Sequence, residues 1–174
     1  MARPPYKPRG ASVVSGLELP VKDERNTSSG SILCACDASG KGRTGLSIWG
    51  GGKLLLVRNS NIPPVDKLTP NICEYFALVV GIETIVEAKY YLPQVNFQQV
   101  CFISDALVIV RQLCPLLGQP VDRSYKIHSS YLRDMANRVV SLWGQLIIQG
   151  KEPSLIWKPR ETTALWFTDA TMRG

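Results

Sequence analysis

Histidine is almost missing from this 174-residue chain, where His128 is the only one. A cysteine–histidine nucleophile pair would have to use it, and no supporting motif surrounds it. Long apolar runs are also missing, and none approaches the roughly 18 residues a membrane span needs. The opening segment Met1-Ala2-Arg3-Pro4-Pro5-Tyr6-Lys7-Pro8-Arg9 lacks the apolar stretch of a secretory signal. The expectation is an intracellular protein, cytoplasmic or nuclear and not secreted. The five cysteines (34, 36, 73, 101 and 114) are odd in number and lie mostly in apolar runs. They read as reduced, buried thiols and not as a disulfide framework. Cys34 and Cys36 flank a single strand residue and are expected to point to opposite faces, which argues against a shared zinc ion. Gly40, Gly42 and Gly45 lack the Gly-Lys-Ser/Thr ending of a phosphate loop.

What is present is basic charge, unevenly spread. The net charge is +6, and residues 120–160 carry seven basic side chains against three acidic ones. Two readings stay open: a polyanionic partner such as nucleic acid, or a solvated basic face kept for solubility. A chain of this length suits one domain with a real core, plus a tail.

Residues 1–30 are rich in Pro, Ser, Gly and charge and read as a flexible, mildly basic arm. Strands are expected at about 31–37, 44–49 and 53–58, the last entered through Gly50-Gly51-Gly52. The connections are too short for a crossover helix, so the three are expected to form an antiparallel meander, which argues against a Rossmann or flavodoxin-like sheet. Thr69-Pro70 reads as an N-cap and first helical residue, opening a helix to about Ala88. A fourth strand at 99–104 leads to a short helix at 106–113. A long helix follows at about 124–149, with Ile127, Tyr131, Met135, Val139, Trp143 and Leu146 on one face and His128 inside it. A fifth strand covers about 154–158. The order β-β-β-α-β-α-α-β describes a three-layer α/β domain with a five-stranded mixed sheet. Trp143, Trp157 and Trp166 read as core or packing residues rather than as stacking platforms.

Four carboxylates fall where these elements begin or end. Asp37 closes the first strand and Asp105 the fourth. Glu74 lies in the first turn of the first helix, and Asp169 follows the strand-like run Leu155-Ile156-Trp157. Strand-end carboxylates are costly unless something uses them, and hard divalent cations take oxygen ligands of this kind. The layout points to a metal-dependent enzyme. Singly, each has a plainer reading, as a turn residue or as a partner of the helix dipole.

Together they resemble the ribonuclease H family. Cys36-Asp37-Ala38-Ser39-Gly40 resembles its strand-one motif, with Ala in a common Gly position. Asn71-Ile72-Cys73-Glu74-Tyr75-Phe76-Ala77 resembles the Asn-x-x-Glu-x-x-Ala pattern of its first helix. Phe102-Ile103-Ser104-Asp105-Ala106 resembles the third motif, and Trp157-Lys158-Pro159-Arg160-Glu161 the "Val-Pro-Arg" stretch. Asp169 matches the last acid. The Asp-Ala-Ser opening and the ending from Asp169 to Gly174 look most like the RNase H domains of reverse-transcribing elements, including hepadnavirus-type and DIRS-type polymerases.

The resemblance implies an RNase H-like domain over residues 31–174 that hydrolyses the RNA strand of RNA–DNA hybrids with two Mg²⁺ or Mn²⁺ ions, about 3.5–4 Å apart. Asp37 would bridge both ions, Glu74 and Asp105 would hold one, and Asp169 the other. Ser39, Gly40, Asn71 and Arg160 are the implied substrate contacts, reading the 2′-hydroxyls and A-like shape of the hybrid. The implied partners are a hybrid or other nucleic acid and, in a reverse-transcribing element, the polymerase part of the reverse transcriptase. Three departures stand out. The step from Arg160 to Asp169 is long and lacks the usual Asn. The histidine before the last acid is missing, and the helix after that acid is expected to be absent. They keep open a catalytically inactive RNase H-like module that binds nucleic acid or scaffolds a complex, and a related resolvase or exonuclease acting on DNA.

Overall fold

The computed structural model of the chain describes Arg25 and residues 30–173. The arm expected over residues 1–30 lies outside the described residues, apart from Arg25 and Gly30. Arg25 is packed down: its guanidinium sits 5.1 Å over the Trp49 ring, and its carbonyl accepts the Gly52 amide at 2.9 Å.

Strands β1 (Ser31–Ala38), β2 (Arg43–Gly50) and β3 (Lys53–Asn61) form the expected antiparallel meander. The β2–β3 turn uses Gly51 and Gly52 at φ 59° and 77°, backbone that favours glycine. Strand β4 (Gln99–Ser104) lies parallel to β1 and β5 (Glu152–Trp157) parallel to β4, so the sheet runs β3-β2-β1-β4-β5. Central strand β1 is buried along Ile32–Asp37 because both faces of the sheet are covered there.

Helix α1 (Pro70–Val86) starts as expected, with Thr69 Oγ1 accepting the Ile72 amide at 3.2 Å. A short helix α2 (Ala88–Tyr91) continues it. Helix α3 (Leu107–Leu113) runs into a 3-10 turn at Cys114–Leu117, and helix α4 (Ser130–Ile148) is next. Helices α1 and α4 pack on one face, where Ile32, Cys34, Cys36, Leu78, Ile82, Val139, Trp143 and Leu146 make the main core. Helix α5 (Thr163–Arg173) covers the other face through Leu165 and Phe167 against Leu33, Ala35 and Trp49.

Four expectations need correction. Cys34 and Cys36 point to the same face, their sulphurs 3.8 Å apart, because alternate strand residues share a face. The long helix begins at Ser130, not near 124: Arg111 holds Asp122 at 2.7 Å and the Tyr125 hydroxyl at 3.0 Å, and Gln112 donates to the Lys126 carbonyl. These bonds keep 122–126 out of helix, Ser129 then caps α4, and His128 is exposed ahead of it. Of the stripe read on that helix, Ile127 precedes it and Tyr131 is exposed. Glu74 sits in the second turn of α1, since Pro70 is its first residue. Finally, a helix absent from the expected order closes the described chain, and Asp169 lies within it and not at a strand end.

Candidate metal centre

The site follows from strand register. Ala35 pairs with Ile103 across the parallel β1–β4 ladder, so Asp37 and Asp105, each two residues further on, emerge side by side at the same sheet end. Asp37 is 4% exposed, and its Oδ1 accepts the Ala38 amide at 2.9 Å. At Asp105 the chain turns off the strand. Ser104 Oγ accepts the Ala106 amide at 3.1 Å, and the Ser104 carbonyl accepts the Lys158 amide at 3.0 Å. Trp157 Nε1 donates to the Asp105 carbonyl at 3.1 Å.

Glu74 arrives from the helix side. Helix α1 lies close on β1 at Gly81, where a Cβ would collide with Cys36 Sγ. That close seat, two turns beyond Glu74, brings its carboxylate over the strand ends. Asp37, Glu74 and Asp105 each offer an oxygen within 4.8 Å of the others. Among the described residues they are the one cluster of three or more His, Cys, Asp or Glu side chains that could hold a metal.

The cluster is electrostatically uncomfortable. Glu74 Oε1 is buried without a hydrogen-bond partner. Burial, then the neighbouring Asp37 and Asp105, push the Glu74 carboxyl up from 4.5 to about 10, while Arg160 pulls the other way. An orphaned oxygen inside an all-carboxylate set is the donor chemistry a hard divalent cation takes. The residues therefore fit Mg²⁺ or Mn²⁺.

Asp169 lies outside the mutual 4.8 Å set and pairs with Arg173 Nε at 2.8 Å, one helical turn on. Ser39 Oγ accepts the Lys41 and Arg43 amides, both at 3.3 Å, and so shapes the turn that leaves Gly40 exposed. Asn71 sits one turn before Glu74 on α1, partly exposed. Arg160 is close enough to bear on Glu74, and its own Nε is buried without a partner. Sequence reasoning missed the seat at Gly81 and the position of Trp157, which is 41% exposed and not in the core. A glycine within an otherwise apolar helix was the available signal for the first.

No sequence model of a known protein family matches the chain, nor does any curated protein. Among solved structures, the chain is similar to RNase H1 from the halophilic archaeon Halobacterium salinarum NRC-1, with a TM-score of 0.59 and 20% identity, covering 81% of this chain and 93% of that one. It also matches the foamy viral protease–reverse transcriptase dRH, solved with double-stranded DNA, with a TM-score of 0.43 and 11% identity. That match covers 84% of this chain and 24% of the viral one. The sheet order, the layers and the archaeal match agree that the chain has the ribonuclease H-like fold.

Proposed function

We propose that the chain is a metal-dependent endonuclease that hydrolyses the RNA strand of RNA–DNA hybrids. The observation that carries this reading is the convergence of Asp37, Glu74 and Asp105 at one end of the β1–β4 ladder. In this reading those three carboxylates hold two Mg²⁺ or Mn²⁺ ions, and Asp169 joins them when its pairing with Arg173 opens. Divalent ions bound there supply an activated water and offset charge on the leaving oxygen.

The chain's own part is binding and orientation. Asp37 is held by its central strand and by the Ala38 amide, so its carboxylate is aimed before a cation arrives. Glu74 sheds its proton on binding, which makes affinity rise with pH. Arg160, which stands close enough to bear on Glu74, offers a phosphate oxygen a charge-assisted hydrogen bond. Ser39, Gly40 and Asn71 flank the acids and meet the hybrid along its minor groove. The basic surplus of residues 120–160 favours the same polyanionic partner. In the setting of a reverse-transcribing element, the polymerase part would be a further partner.

One observation favours the rival, a module that binds without cutting: Asp169 is engaged by Arg173 and stands apart from the other acids. The deciding experiment is cleavage of an end-labelled RNA–DNA hybrid with Mg²⁺ or Mn²⁺. Asp105→Asn and matched RNA–RNA and DNA–DNA duplexes run beside it. Metal-dependent cutting of the hybrid alone, lost in the variant, is the expected result. Binding without cutting, unchanged in the variant, establishes the rival, and cutting of DNA points to the resolvase-like branch.

A further inference from the structure

Two of the four tryptophans, Trp49 and Trp143, are buried at 3% exposure, and Trp166, on α5, is partly buried. Trp157 differs. It ends β5 with 41% of its surface exposed, and its Nε1 donates to the carbonyl of Asp105 at 3.1 Å. The bond fixes the edge of the indole against the turn that carries one of the clustered acids. The next residue is tied to the same turn, since the Lys158 amide donates to the Ser104 carbonyl at 3.0 Å. A large ring, locked at its polar edge and left open to solvent, loses little freedom when something packs on it.

The chain that follows fits a nucleic-acid rim. Lys158 follows Trp157 directly, and Arg160, close enough to bear on Glu74, lies two residues beyond Lys158. Aromatic faces flanked by cations hold nucleotides through stacking on the ring and attraction of the backbone.

We propose that Trp157 is a substrate-contacting residue, its indole face packing against a base or sugar of the nucleic acid whose phosphate meets the acid cluster. The assignment rests on the nuclease reading and adds to it the element that grips the strand.

The experiment uses the full chain, a short RNA–DNA hybrid, and Ca²⁺ in place of Mg²⁺ so that binding is read apart from turnover. Tryptophan emission and hybrid affinity are measured for wild type, Trp157→Phe and Trp157→Ala, with melting curves to verify folding. Hybrid binding should quench the wild-type emission, and that quench should vanish in both variants. Trp157→Ala should bind about tenfold more weakly. Trp157→Phe, which keeps a ring but not the N–H, should stay near wild type. Equal binding by all three chains, with no quench, overturns the proposal and leaves the nuclease reading standing. Equal loss of Mg²⁺-dependent cleavage in both variants with unchanged binding also overturns it, making the indole a positioning residue for Asp105. Absence of hybrid binding by wild type removes the nuclease reading, and the proposal with it.

Discussion

Two polar clusters are built into this sheet, on different principles. Under α5, Trp49 Nε1 donates to Ser47 Oγ at 2.8 Å. Ser47 in turn meets Thr168 Oγ1 at 2.7 Å, and Thr168 donates to the Ala164 carbonyl at 2.8 Å. Each group in that chain has a partner inside the protein. At the strand ends, three carboxylates crowd together, one of their oxygens has no partner, and one carboxyl is pushed far from its ordinary range. A closed network holds a helix in place, whereas an open one waits for something from outside.

The comparison can be broken in several ways. The largest effect is expected from Asp105→Asn, which should abolish metal-dependent cleavage while leaving the melting temperature in EDTA unchanged or higher. Added Mg²⁺ should raise the melting temperature of wild type but not of the variant; equal stabilisation of both would mean the cation binds elsewhere. In the closed network, Ser47→Ala leaves the buried Trp49 N–H without an acceptor. It should cost about 1–3 kcal/mol in denaturant unfolding and leave the Mg²⁺ response untouched.

Glu74→Gln should do the reverse and stabilise the metal-free chain. A carboxyl raised in the folded state contributes stability that is complete below its unfolded value near 4.5 and is lost as pH rises toward about 10. The amide has no such loss. The gain in melting temperature should therefore be near zero at pH 4 and grow toward pH 9, at about 2–4 °C for each kcal/mol. A gain independent of pH would show that charge is not the cause. The smallest effect belongs to Arg173→Ala. The pair it breaks has a half-exposed cation and is worth under about 1 kcal/mol. Its loss removes the ion-pair partner of Asp169, so half-maximal cleavage should come at lower Mg²⁺; an unchanged titration would leave Asp169 outside the reaction.

Much of the strand half of the fold was legible because its signals are local. Short apolar runs, glycine turns and Thr69-Pro70 each act within a few residues. The positions of Asp37, Asp105 and Glu74 followed from those elements. Helix α5 was not legible, because its buried side carries Thr168 and Asp169 beside Leu165 and Phe167, and the polar pair dilutes the apolar period. The start of α4 was misjudged because Arg111 reaches across from α3 to hold Asp122, a long-range bond with no local mark. The error over Cys34 and Cys36 was one of parity, and the strand's own alternation answers it. Trp157 was read as a core or packing residue, although large aromatics with a polar edge often sit where one side is wet.

The pairing of Ala35 with Ile103 has a consequence for folding. Were β4 to slip by one residue along β1, Asp105 would move about 3.3 Å and its strand would turn its faces over. The two carboxylates would then no longer share an opening. A cation that needs both oxygens can bind only the correct alignment, so its binding energy would act as a proofreader of strand pairing.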